Sequence, residues 1–507
     1  MKRAQTPGIP DQSDSVNGNL VARLARVASE NGWLDRPAYI VHGKTYRYQD
    51  VYEGAGRAAA AFVNRGLGVG DRVLLALPDG IDLVWSFLGA LRAGIVAIPV
   101  NSDLHPDELR RAAEIAEPDA VVCELELAAC FPYPLITPGR LRSETTVLPH
   151  AECTPDTPGF ALFTSGTTGD PKLCFHTHGD PDVYDQSIGS VVEVTPDDVC
   201  LSVSRLYFSY GLGNSIFLPL LRGGTTVLSP KRATEETALS LIRDHGVTVF
   251  YGQPSFFARL LSHPDHGLLS GLRLAVCAGE VLPDALERKL RRVLGHRLLN
   301  VFGTTEIGHA IVANSTTDHR DFTVGRLLAP YRMQILNELG EVVPPGVEGL
   351  LEVAGPTIGL GVARGSDSPL RTGDSWYRTG DVATVDEDGF LRIHGRADDI
   401  EIVAGANVHP TEIEDLLMTH PAVVEAAVCS ARNDAGVSAL RAFVVLGGDA
   451  DPDAVRTELT TTAEQALTWY KVPADIVFVC ALPRNPTGKL LRREVRAMVA
   501  KSEQDGL

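Results

Sequence analysis

Thr164, Ser165, Gly166, Thr167, Thr168 and Gly169, with Asp170-Pro171-Lys172 behind them, are the residues most able to do chemistry. The ten residues beginning at Phe163 hold four hydroxyls, two glycines and one lysine. Serine, threonine and glycine at this density cannot build a core. They can build a loop whose hydroxyls and backbone N–H groups converge on one anion, because glycine lets the backbone approach closely and a nest of N–H dipoles binds phosphate oxygens. Lys172 adds a full positive charge at the end of the loop. The spacing differs from G-x-x-x-x-G-K-[ST], so a P-loop fold is not implied. The competing reading is a polar linker, against which the fixed Pro-Lys pair argues.

Such a loop needs a rigid base. The apolar run 160–163 reads as a buried strand leading straight into it. Strand-like and helix-like runs alternate on either side: strands at 72–77, 94–100 and 120–123, helices at 81–93 and 106–116. Residues 140–158 read as a surface connection. Further strands are expected at 246–251, at 272–277 ending in Ala278-Gly279-Glu280, and at 299–302 ending in Gly303-Thr304-Thr305-Glu306. Alternation of this kind predicts an α/β fold with mostly parallel sheets covered by helices. Ligands of open α/β sheets bind beyond the carboxyl ends of strands, where these polar tips lie. From Gly325 short strands and turns dominate, which predicts a small β subdomain at about 325–395. A compact α+β tail follows. The predicted organisation is a disordered segment 1–18, a large N-terminal domain 19–397 and a small C-terminal domain 398–507.

The 507 residues exceed one ordinary hydrophobic core. A net charge of −18, from 46 basic and 64 acidic residues, argues against nucleic-acid partners and anionic membranes. Eight scattered cysteines form no C-x-x-C and no zinc spacing, as expected of reduced thiols in a cytoplasmic protein. The first residues lack the apolar stretch of a signal peptide. The most apolar window, 83–100, contains Arg92, two glycines and a proline, and reads as helix, turn and strand rather than a membrane span. A monomer or homodimer is expected.

Residues 164–172 resemble the phosphate loop of the acyl-adenylate-forming enzymes, the superfamily of acyl-CoA synthetases, adenylation domains and luciferases. Four further stretches match the same superfamily in its order. Phe302-Gly303-Thr304-Thr305-Glu306 resembles its G-x-[ST]-T-E element, and Tyr377-Arg378-Thr379-Gly380-Asp381 its Y-R-T-G-D element. Gly395-Arg396-Ala397-Asp398-Asp399, then Gly405 and residues 410–414, resemble the hinge and the start of the mobile C-terminal domain. Pro486-Thr487-Gly488-Lys489 resembles the closing P-x-T-G-K. A narrower likeness, to the benzoate–CoA ligase branch, lies in residues 205–214, in Cys277-Ala278-Gly279-Glu280 and in His309.

The resemblance implies ATP and Mg²⁺, with CoA as co-substrate. A carboxylate attacks the α-phosphorus and expels pyrophosphate, so two anions must be aligned and neutralised. The loop Thr164 to Lys172 would hold the β- and γ-phosphates, Thr305 would reach the α-phosphate, and Glu306 would bind Mg²⁺. Asp381 would accept from both ribose hydroxyls, with Arg396 assisting. Phe302 would stack on adenine or sit in the core, and Ala278, Gly279 and Glu280 would line the purine edge. Lys489 would bridge carboxylate and α-phosphate. Asp398 would be the hinge, and Gly405 would line the acceptor channel. Tyr210, Gly211, His309 and Phe208 would form the acyl pocket, although His309 could instead be a structural histidine.

Two positions depart from the family pattern. Leu173 and Cys174 follow the Pro-Lys of the loop, where glycine is usual, and Asn407 stands where many relatives carry a basic residue. The predicted activity is formation of an aryl-adenylate from a small aromatic carboxylic acid, then transfer to CoA. Loading of a carrier-protein phosphopantetheine is the alternative acceptor chemistry, and diazotase-like activation of nitrite for an amino-aryl acid is another. A non-catalytic nucleotide sensor is the reading from a different class.

Overall fold

The computed structural model describes residues 17–164, 172–359, 376–403, 406–432, 438–448, 450–484 and 490–504. A six-stranded sheet carries the arms of the phosphate loop. Its order is Leu135–Ile136, Ala120–Cys123, Arg72–Ala76, Val96–Pro99, Pro158–Thr164, Lys172–Thr177. Neighbours are parallel except the last pair, which is antiparallel. The strands at Arg72–Ala76, Val96–Pro99 and Ala120–Cys123 are buried at every position. Continuous apolar runs of this sort are what a parallel sheet covered on both faces requires.

A second sheet of thirteen strands supplies the other tips. Val249–Gly252, Leu274–Cys277 and Leu298–Gly303 run parallel in it. At Leu298–Gly303 the pairing changes: the next neighbour, Ala310–Ala313, is antiparallel. The change of texture at Gly325 corresponds to antiparallel strands that extend this same sheet.

Helices Tyr48–Val63 and Ile81–Arg92 pack in the core that the two sheets share. They approach closely because Gly89 carries no side chain; a Cβ there would lie 2.5 Å from that of Ala58. Phe87, Phe160 and Phe217 meet in the middle with ring centroids 5.2–6.1 Å apart. Burial of each such ring contributes about 1.5–3 kcal/mol. Asn17 and Gly18 belong to this packed body, correcting the disorder predicted as far as residue 18: Asn17 donates to the Ala151 carbonyl at 2.9 Å, and Gly18 N–H to that of Cys153 at 2.8 Å. Residues 1–16 lie outside the described residues.

The C-terminal domain is built on a three-stranded sheet, Val423–Arg432, Ser438–Leu446 and Asp475–Phe478. Ile413, Leu417, Met418 and Val423 share one apolar cluster with Phe256, Leu286 and Leu290 of the larger domain, and so dock the smaller domain on it. No helix among the described residues is long and apolar enough to cross a membrane.

Candidate active site

Polar residues stand at the ends of strands in the two sheets. Thr164 closes the strand Pro158–Thr164 and pairs with Lys172 on the returning strand, so the phosphate-loop arms start side by side. Thr164 is buried and Lys172 exposed. Ser165, Gly166, Thr167, Thr168 and Gly169 lie outside the described residues, as do Gly405 and Lys489. Leu173 needs no glycine's freedom: it is an ordinary strand residue, buried in the apolar cluster with Ala161 and Phe175. Cys174 donates its thiol to the Gly359 carbonyl at 3.1 Å, and Gly359 N–H donates to the Glu306 carbonyl at 2.7 Å. The departure at residues 173–174 is thereby absorbed into the wall of the site.

Thr304, Thr305 and Glu306 follow the strand Leu298–Gly303, and all three are half-buried. The Thr304 hydroxyl is buried without a hydrogen-bond partner among the described groups. Tyr377 hydrogen-bonds Glu306, and its phenol is pushed well up, first by burial and then by that carboxylate. Thr305 is held from behind by a residue the sequence did not single out. His176 Nε2 lies 2.9 Å from the Thr305 carbonyl; a carbonyl only accepts, so this nitrogen carries the hydrogen. His176 Nδ1 lies 3.2 Å from Asp180 and 3.3 Å from the Tyr184 hydroxyl, and Thr177 also donates to Asp180. His176, Asp180 and Tyr184 are fully buried. This network joins the phosphate-loop sheet to the Thr304–Glu306 tip.

Asp381 and Arg396 face each other across paired strands, 3.9 Å apart, with Arg396 also 3.2 Å from Asp398 and 2.6 Å from the Thr379 carbonyl. Asp398 is exposed at the turn into the C-terminal domain. Phe302 is half-buried and packs against the Ile307 and Leu391 cluster, so part of its ring belongs to the core. Gly279 takes φ of 90°, a turn that glycine makes without strain. Glu280 does not simply line a purine edge. Its carboxylate accepts from the N–H and hydroxyl of Ser255, each at 3.2 Å, and from Arg484 of the C-terminal domain at 3.2 Å. Burial pushes its pKa up, against the pull of Arg484.

Tyr210 and His309 stand on neighbouring elements. The Tyr210 hydroxyl donates to the Val276 carbonyl at 2.9 Å. His309 is buried, and desolvation pushes its imidazole down to about 4, so it is neutral at pH 7. Its Nδ1 accepts from Ala310 N–H at 2.7 Å, which leaves Nε2–H as a buried donor without a partner among the described groups. Gly213 makes room for this ring: a Cβ there would lie 2.3 Å from it. Gly211 allows a close backbone approach. Its missing side chain faces the Arg205 carbonyl, 2.0 Å from where a Cβ would be. Phe208 lies with Arg205, Gln253 and Ser255 on a small cleft that reaches the Gly279–Glu280 tip. Arg205 anchors the segment by an ion pair to Asp79 at 3.3 Å, and burial pushes Asp79 up to about 6.

The phosphate-loop arms are thus joined through His176 to the Thr304–Glu306 tip, and Glu306 through Tyr377 to the strand that carries Asp381 opposite Arg396. Residues 24–365 match the AMP-binding enzyme family, and residues 412–489 match the AMP-binding enzyme C-terminal domain. The p-hydroxybenzoic acid–AMP ligase FadD22 of Mycobacterium tuberculosis is 39% identical over 95% of this chain and 69% of that protein. The benzoate–CoA ligase of Thauera aromatica is 32% identical over 96% of this chain and 95% of its own length. Among solved structures, the anthranilate CoA ligase AuaEII with anthranoyl-AMP superimposes with a TM-score of 0.87 at 27% identity, covering 94% of this chain and 97% of that one. A benzoate CoA ligase from Burkholderia xenovorans LB400 gives 0.85 at 29% identity, covering 94% and 99%. The chain belongs to the AMP-binding, acyl-adenylate-forming enzymes, in their benzoate–CoA ligase-like branch.

Proposed function

We propose that the protein activates a benzoate-type carboxylic acid with ATP and passes the acyl group to the thiol of CoA. In the first half-reaction a carboxylate oxygen attacks the α-phosphorus, the bond to the bridging oxygen breaks, and pyrophosphate leaves. In the second a thiolate attacks the acyl carbon and AMP leaves. The observation that supports the reading is a chain of contacts: His176, on the strand that begins at Lys172, hydrogen-bonds the Thr305 carbonyl, and Tyr377, four residues before Asp381, hydrogen-bonds the neighbouring Glu306.

Asp381 would take the ribose hydroxyls and Thr305 the α-phosphate. Lys489 would neutralise the charge that grows between carboxylate and phosphate. Glu306 offers one carboxylate beside the loop arms, the donor set that suits Mg²⁺ when phosphate oxygens supply the rest. The ion, when bound, would neutralise charge on the triphosphate. A benzoate ring suits the apolar side of the pocket, and the His309 Nε2–H gives that pocket one donor. The two half-reactions need different groups at the same place. We therefore take residues 19–397 as the adenylating domain and 398–507 as a unit that rotates at Asp398, bringing Gly405 to the acceptor channel after Lys489 leaves.

Transfer to a carrier-protein thiol is the second reading. The relative at 39% identity is named for its AMP product and not for a CoA thioester, which leaves the acceptor open to this reading. Pyrophosphate release is measured with Mg-ATP across benzoate, hydroxybenzoates and aminobenzoates, with and without CoA. Release that depends on one aryl acid, with an aryl-CoA product, is the expected result. Adenylate without thioester would transfer the assignment to a carrier protein, and silence across the panel would remove it.

A further inference from the structure

Arg484 joins the two domains at the Glu280 tip. One guanidinium nitrogen lies 3.2 Å from Glu280 of the larger domain, and another lies 3.0 Å from Glu425 of the smaller. All three side chains are largely buried, between 10% and 16% exposed. Neither carboxylate is held by Arg484 alone. Glu280 is fixed by Ser255 from its own domain. Glu425 faces Arg259 of the larger domain at 3.7 Å, and Arg259 is paired in turn with Glu235. The groups alternate in sign and cross the domain boundary twice. Arg484 also forms a β-bridge with Leu490, so the two residues stand side by side and flank 485–489, the segment that ends in Lys489.

We infer that Arg484 is a positioning residue for the first half-reaction: by bolting Glu280 to Glu425 it holds the C-terminal domain in the orientation that keeps Arg484, five residues before Lys489, against the Glu280 tip of the larger domain. The inference rests on the function proposed above, in which Lys489 serves adenylation and must leave before thiol transfer. A rotated domain breaks the Arg484–Glu280 contact, so the bolt favours one orientation and not the other. Glu280 is thereby a docking point for the domain as well as a wall of the nucleotide site. The charge of Arg484 is suited to the task because guanidinium can serve two carboxylates at once, which an ammonium does less well.

The test separates the half-reactions in Arg484→Gln and Arg484→Lys. For Arg484→Gln, acid-dependent pyrophosphate release should fall roughly 10- to 100-fold, the scale of a misplaced catalytic group. Conversion of chemically made benzoyl-adenylate and CoA to thioester should stay within about 2-fold, because that step uses the other orientation. Arg484→Lys should recover part of the first rate. An equal loss in both half-reactions, or a loss in neither, overturns the inference. A second measurement needs no activity. Trypsin cleavage after Arg396, at the hinge of the substrate-free protein, should be faster in Arg484→Gln than in the parent. If no aryl acid yields pyrophosphate even with the parent, the functional reading fails on its own, and the digestion decides alone; an unchanged cleavage rate then overturns the bolt.

Discussion

At the scale of single residues, the site depends on groups that touch substrate and groups that hold them. On the function proposed above, Lys489 would belong to the first kind. Its charge matters where carboxylate and α-phosphate approach, so Lys489→Ala should slow pyrophosphate release ~10²–10³-fold, about 3–4 kcal/mol of barrier. ATP affinity, followed by calorimetry, should change little if, as proposed, the triphosphate has the loop and Thr305 as partners; a collapse of binding would show the lysine to be a ground-state ligand. His176 belongs to the second kind. His176→Phe keeps a ring against Phe160, whose centroid lies 5.1 Å away, but removes the donor to the Thr305 carbonyl. A buried acceptor left without its donor costs about 1–3 kcal/mol. The variant should therefore melt lower and lose roughly tenfold in pyrophosphate release, with the Km for ATP rising less than kcat falls. Loss of stability with an unaltered rate would confine His176 to the core.

At the scale of elements, the turn after Glu306 is set by backbone shape. Gly308 has φ of 88°, and a Cβ there would lie 1.8 Å from the Tyr184 hydroxyl. Gly308→Ala should cost stability twice, through the left-handed backbone and through that contact. Tyr184→Phe removes the oxygen, so the double variant should recover part of the loss in thermal denaturation; simple additivity of the two losses would assign the whole effect to the backbone. The elements were legible where the pattern was local. The helices at Ile81–Arg92 and Pro106–Ala116 and the strand at Ala120–Cys123 stand almost where periodicity and apolar runs put them. Boundaries slipped where a cap intervened: Gly246 closes a helix in left-handed conformation, so its strand begins only at Val249. The strand tips of the site were legible for the same local reason. His176 was not, because a lone histidine in an apolar strand has no visible partner until the Thr305 carbonyl, 129 residues on, is folded against it. Arg484 was hidden in the same way, as one arginine in a basic tail whose partner Glu280 lies 204 residues earlier.

At the scale of the whole molecule, the docking of the two domains carries a charge problem of its own. Asp415, on the helix Pro410–Leu417, meets the start of the helix Asp284–Leu294 and accepts from the backbone N–H of Asp284. Its Oδ1 is buried without a hydrogen-bond partner among the described groups. Desolvation, then Asp284 and Glu414, push its carboxyl from 3.8 up to about 8, and Arg392 offsets this only in part while paired with Asp284 at 3.0 Å. A carboxyl with a raised pKa in the docked state binds more protons there than when released. Its penalty is absent below 3.8 and grows as pH rises, until it is complete above about 8. Asp415→Asn removes the ionisation while keeping the shape. The variant should melt roughly 1–3 °C above the parent at pH 8, and the gap should close as the pH falls toward 4. In the Arg484 pairs the guanidinium stays charged throughout this window, while the Glu280 carboxyl, pushed up by burial, loses its charge as pH falls. The interface therefore combines an attractive contact that weakens toward acid and a repulsive one that strengthens as pH rises. Domain release, followed by trypsin cleavage after Arg396, should accordingly quicken from pH 6 to pH 8.5 in the parent and much less in Asp415→Asn. An equal acceleration in both would place the pH dependence elsewhere in the interface.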